Sequence, residues 1–106
     1  MAAFFKTQRD KLIRLITYYK YCQDIVKNNE SFVVLHDSAS EYNICREFKT
    51  RFDNSFDNLD GLEKEFILND YLIGREKFWW QRHFERSTYF RIKRRAINNF
   101  LMELGE

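Results

Sequence analysis

"FWWQRHFERSTYFRIKRRAINNF", residues 78–100, sets two tryptophans beside a run of arginines. Three readings compete for it: a membrane-seeking amphipathic helix, a solvated helix with an apolar back, or a surface that sits on phosphates. Placed on a helix at about 100° per residue, the stretch separates into two faces. Tyr89, Phe90, Ile92, Ala96, Ile97, Phe100, Leu101 and Leu104 share one arc. Ser87, Thr88, Arg91, Arg94, Arg95 and Asn98 share the other. The pattern predicts a helix over 87–104 with its apolar side inward. Lys93 alone falls on the apolar side, where its stem has to snorkel.

The rest of the chain supports helices. Its 106 residues contain no Pro and only Gly61, Gly74 and Gly105, too little turn punctuation for a many-stranded fold. Hydrophobic residues make up 44% and aromatic residues 18%, enough for one core without staples. We expect an all-α bundle of four to five helices forming a single domain over 1–106. Residues 1–58 would hold the N-terminal helices and 59–106 a helix-turn-helix part.

A first helix runs from about Phe4 to Lys27, with Leu12, Leu15, Ile16, Tyr19, Cys22 and Val26 as its stripe. That stripe is long for so small a domain and serves either the core or a homodimer of C₂ type. "SFVVLHD" (31–37) reads as an extended or loosely helical connection. "SASE" (38–41) is a capping box that starts a second helix over about 39–56. "DNLDG" turns the chain into a third helix carrying Leu62, Phe66, Ile67 and Tyr71, which Gly74 closes. A short helix over about 75–82 and the "HFER" turn precede the long basic one.

Charge is segregated along the chain. Residues 1–27 carry +4, 28–74 carry −6 and 75–95 carry +6. A block of one sign on a near-neutral chain points to a partner of the other sign. Between Arg86 and Phe100 there is no Asp or Glu, whereas a merely solvated helix interleaves both signs. The membrane reading loses ground because Trp79 and Trp80 precede the basic helix instead of lying on its apolar face. No apolar run reaches the length of a membrane span and no signal peptide is evident, so a cytoplasmic location is expected. Cys22 and Cys45 read as reduced helix-face thiols. His36 and His83 have no ligand-spaced neighbours, and neither a phosphate loop nor a nucleophile motif occurs. No metal, cofactor or catalytic activity is expected, and the acid pairs Asp53/Asp57 and Glu63/Glu65 read as solubilising.

A short helix, a turn and a longer basic helix form a helix-turn-helix pattern. The stretch "YLIGREKFWWQRHFERSTYFRIKRRAINNFLMEL" (71–104) resembles the C-terminal part of phage late-gene transcription regulators of the ArpU and RinA type. These are similar in turn to region 4 of sigma-70-type factors. The stretch is similar, too, to the ending of a group of small mollicute proteins. Phe78, Phe84, Tyr89 and Ile92 match the apolar positions of the sigma-like pattern. A Trp at 79 or 80, Ser87-Thr88-Tyr89, Arg91, Ala96 and Phe100 match the ArpU-type pattern. Trp79 departs from the small residue of a general helix-turn-helix, and His83 from its Gly. The resemblance covers about the last 45 residues. It implies a transcription regulator that binds double-stranded DNA, or an adaptor that docks an acidic protein such as RNA polymerase. The DNA-facing residues would be Arg86, Ser87, Thr88, Arg91, Arg94, Arg95 and Asn98. Arg91 and Thr88, nearest the helix start, would meet base edges, with Arg86, Arg94 and Arg95 on phosphates.

Overall fold

The first sixty residues contain neither Gly nor Pro, the two residues least suited to a helix interior. The structure, a computed structural model, describes residues 2–29 and 39–106, with side chains described over 6–28 and 41–106. Helix α1 (Ala2–Asn29) and helix α2 (Ala39–Asp57) match the first two expected helices with slightly wider bounds. Ser38, on which the expected capping box depends, the connection at 31–37 and His36 lie outside the described residues.

α1 and α2 form an antiparallel hairpin. Leu12, Ile16, Tyr19 and Cys22 of α1 are buried, and so are Tyr42, Cys45, Phe48 and Phe52 of α2. Tyr19 stacks on Phe52 with ring centroids 3.9 Å apart, and Tyr18 sets its edge to Phe48 at 4.7 Å. Nearer the tip, the Tyr21 hydroxyl donates to the Glu41 carboxylate. The α1 stripe packs chiefly against α2, with further contacts to α4. Both cysteines are buried and free. Burial pushes the Cys22 thiol up to about 11, with the neighbouring Cys45 adding to the effect.

Helix α3 (Gly61–Ile67) begins at a capping box that the sequence reading took only for a turn. The Glu63 amide donates to Asp60 Oδ1 at 2.7 Å, and the Asp60 amide donates to Glu63 Oε1 at 3.2 Å. Two orphan amides are satisfied at once, a local gain of about 1 kcal/mol. α3 then widens into a π turn over Leu68–Leu72. Gly74, at φ 72°, closes it, and the Arg75 amide reaches back to the Asn69 carbonyl at 2.8 Å. That closing bond spans six residues, one more than the usual motif, as the wide turn requires.

The short helix expected over 75–82 is not formed. Residues 77–83 are instead a run of tight turns, with Gln81 N–H to Phe78 O at 3.1 Å and His83 N–H to Trp80 O at 3.0 Å. Side chains hold this segment: the Trp79 indole N–H donates to Asp70, and Trp80 stacks on Tyr89. A regular apolar stripe is not what orders it. The last helix, α4 (Arg86–Glu103), stands where the periodicity put it. It buries Tyr89, Ile92, Ala96, Ile97, Phe100 and Leu101.

α4 packs on the tryptophan segment through Tyr89, while Phe100 meets α2. Phe100 approaches Phe52 edge-on at 4.9 Å and Phe56 at 6.1 Å. The described residues are all helix, turn or loop, with no strand among them. The radius of gyration, 15.9 Å, exceeds the ~13 Å of a compact chain this long. The long α1–α2 hairpin accounts for the excess, leaving the first turns of α4 and the 75–83 segment as a structural unit with Phe66 at its centre.

Candidate nucleic-acid interface

Phe66 gathers the aromatic residues of this unit. Trp79, Phe84 and Tyr89 surround it at centroid distances of 5.2, 5.3 and 5.5 Å. Of the four apolar positions in the sigma-like pattern, Phe84, Tyr89 and Ile92 pack inward. Phe78 does not; it is 54% exposed.

Two carboxylates fix α4 in place. Asp70, carried by the π turn, has a side chain only 9% exposed. It accepts from Trp79 Nε1 at 2.7 Å and from the Tyr89 hydroxyl at 2.6 Å, and pairs with Lys93 Nζ at 3.5 Å. Lys93 also stands over the Tyr71 and Tyr89 rings at 5.4 and 5.5 Å. Its place on the apolar arc is thus explained by a buried counter-charge as much as by an apolar stem. Burial, seconded by the hydrogen bond to Asp70, holds the Tyr89 phenol well above its ordinary range.

The second carboxylate is Glu63. Its Oε2 takes Asn99 Nδ2 at 2.5 Å and Arg95 Nε at 3.2 Å, while Arg95 also reaches Asp60 at 3.3 Å. Glu63 is 3% exposed, so it is not the solubilising acid the sequence suggested.

These contacts sort the DNA-facing candidates. Arg86, Ser87, Arg91 and Arg94 are exposed and Thr88 half-buried, all on the first half of α4. Arg95 turns to the acids of the α3 start and leaves the shared arginine face. Asn98 is half-buried, and its Oδ1 is buried without a hydrogen-bond partner. The missing acids of the 86–100 stretch are therefore supplied from elsewhere: Asp60, Glu63 and Asp70 lie beside the helix in space. They neutralise part of the charge that the chain count assigned to a partner.

A surplus remains. Arg75, Lys77, Arg82, Arg86 and Arg91 are exposed, and no acidic group among the described residues lies within 4.0 Å of any of them. Arg86 lies over the Phe90 ring at 5.8 Å and Lys77 over Phe78 at 5.5 Å. Glu85 caps α4 with backbone alone; its side chain makes no cap hydrogen bond. The first amides of α4 thus have no side-chain acceptor from their cap, the arrangement that favours an anion.

Sequence reasoning missed Asp60, Glu63, Asp70 and the exposure of Phe78 and Phe90. Only the first two carried a local signal, since "DGLE" has capping-box spacing ahead of an apolar run. Among the described residues no group of three or more His, Cys, Asp or Glu could hold a metal ion. Likewise no described helix is long and apolar enough to cross a membrane. No family model, curated protein or solved structure matches the chain.

Proposed function

We infer that the chain is a DNA-binding transcription regulator that lays the first turns of α4 in the major groove. The observation that carries this reading is the surplus of exposed cations left after internal pairing, gathered on α4 and on the 75–83 segment beside it. The major groove of B-form DNA admits a single α-helix, so the docking does not depend on a regular helix over 75–82. Arg91, exposed, and Thr88, half-buried, lie near the helix start and take the base edges. Arg86 and Arg94 take phosphates, with the uncapped amides of the first turn as a further phosphate seat. Arg95 is reassigned: it holds α4 to the start of α3.

Selection of genomic fragments with the purified chain would supply the target sequence. On that target, Arg91→Ala should cost ~1–3 kcal/mol and relax the sequence preference. Arg86→Ala should weaken all sequences alike and reduce the salt slope by about one. Arg95→Ala should lower stability and leave the salt slope unchanged. If the Arg86→Ala/Arg91→Ala double variant keeps its helical spectrum and binds fragments as well as the wild type, the DNA reading fails. The cationic surface then serves an acidic protein, of which RNA polymerase is the candidate to try first.

A further inference from the structure

Helical periodicity placed Phe90 inside and the sigma-like resemblance placed Phe78 there, and the structure places both outside. They are 54% and 37% exposed. Between them lies a hollow of about 210 Å³ lined by Lys77, Phe78, Trp80, Tyr89, Phe90 and Lys93. Two of its lining rings are a stacked pair, Trp80 on Tyr89, with centroids 4.3 Å apart and planes 12° from parallel. The hollow is smaller than a drug-sized pocket, on the order of 300–1,000 Å³, and has room for one small planar ring system.

Phe78 is also a wall of a second hollow, of about 600 Å³, lined by Arg75, Glu76, Phe78, Trp79, Arg82 and His83. One exposed ring thus stands between an aromatic slot and a basic trough. Lys77 and Arg86 lie over the outer rings, at 5.5 Å from Phe78 and 5.8 Å from Phe90.

We propose that the slot between Phe78 and Phe90 seats an unpaired nucleobase of single-stranded DNA, with the flanking phosphates on Arg86, Lys77 and the Arg75/Arg82 trough. The chemistry is that of single-strand recognition, in which base faces stack on aromatic rings while cations follow the backbone. A duplex cannot use the slot, because its base faces are covered by their neighbours. An uncharged apolar side chain fits the slot less well, since it would take cations out of water without offering them a charge. Glu76 is the one acid among the lining residues of either hollow. The proposal rests on the nucleic-acid reading above and adds a preference for strands that are open.

The test uses the whole chain with three ligands of equal length: oligothymidylate, the same strand made abasic, and a duplex. Trp79 and Trp80 are the only tryptophans; Trp80 lines the slot and Trp79 the trough, so their fluorescence reports on the site directly. Oligothymidylate should quench it and bind more tightly than the abasic strand. Phe78→Ala and Phe90→Ala replace exposed rings, and circular dichroism would verify that the helices persist. Together they should weaken oligothymidylate by roughly 5- to 150-fold per base lost from a ring. Duplex affinity should stay within about two-fold, and the advantage of oligothymidylate over the abasic strand should vanish. The proposal is overturned if the double variant binds oligothymidylate as the wild type does, or if all three ligands weaken in parallel. The first of these results, with duplex binding intact, leaves the DNA reading standing. No binding of any of the three at low salt removes both. Quenching by an acidic aromatic peptide but not by oligothymidylate also overturns it and assigns the slot to a protein.

Discussion

Replacing Asp70 by Asn keeps the shape of the side chain and removes its charge. Three donors converge on that carboxylate: the Trp79 indole, the Tyr89 hydroxyl and the Lys93 ammonium. Asn retains one acceptor for the indole, and the Tyr89 hydroxyl can rotate to accept from the new amide. Lys93 has no such remedy. Its side chain is 16% exposed, so it would keep most of the desolvation cost and lose its counter-charge. Breaking a fully buried pair costs ~3–5 kcal/mol. Discounted for the access Lys93 keeps to water, we expect about 2–4 kcal/mol for Asp70→Asn. Lys93→Met preserves the stem against Tyr71 and Tyr89 and leaves Asp70 with its two hydrogen bonds, so about 1–2 kcal/mol is expected. The double variant has no unpaired charge, and its loss should fall short of the sum by at least ~1 kcal/mol.

Urea unfolding followed by both tryptophan fluorescence and far-ultraviolet circular dichroism would measure all three variants. The slopes should match the wild type, since the exposed area on unfolding is unchanged. Added salt should alter the coupling little, because the pair is shielded from solvent. A loss below ~0.5 kcal/mol for Asp70→Asn, or losses that add within that margin, would refute the reasoning. Either would mean that the aromatic contacts hold α4 without the charge.

Two further outcomes follow from the tyrosines. The Tyr71 hydroxyl is buried without a hydrogen-bond partner, so Tyr71→Phe should raise stability by about 1 kcal/mol and the melting temperature by several degrees; a loss would show that the hydroxyl is satisfied after all. Burial raises the Tyr19, Tyr71 and Tyr89 phenols well above their ordinary value of 10.0. The folded state therefore keeps protons that the unfolded state gives up, and this contribution is whole below about pH 10 and declines above it. The decline approaches ~1.4 kcal/mol per pH unit for each group, and urea midpoints that stay level to pH 11 would contradict it.

The helices were legible wherever a single helix face decided them. Leu12, Ile16, Tyr19 and Cys22 repeat at three and four, and so do Tyr89, Ile92, Ala96 and Phe100, and both rows are buried. Gly74 closed its helix because its positive φ requires no Cβ, and composition could show that. Residues 75–82 were misread because periodicity presupposes a regular helix, and two adjacent tryptophans held by Asp70 and Tyr89 order the chain without one. The site was legible as a charge and not as an arrangement. Counting signs along the chain located the cations but could not reveal that Lys93 meets Asp70 or that Arg95 meets Glu63, 32 residues away. Phe78 and Phe90 misled for a related reason: whether a ring points inward is settled by a neighbouring element that the local sequence does not contain.

The polar knot at Asp70 also has a bearing on the order in which the chain assembles. The Asp70–Tyr89 bond spans 19 residues, whereas the contact between Lys11 and Glu106 spans 95. By loop-closure entropy alone the shorter connection costs ~1.4 kcal/mol less to make. The aromatic residues around Phe66 and the acids that grip α4 belong to such short connections, so the C-terminal unit can close before the ends of the chain are joined. The α1–α2 hairpin is then free to dock on a platform in which the cationic surface already has its shape.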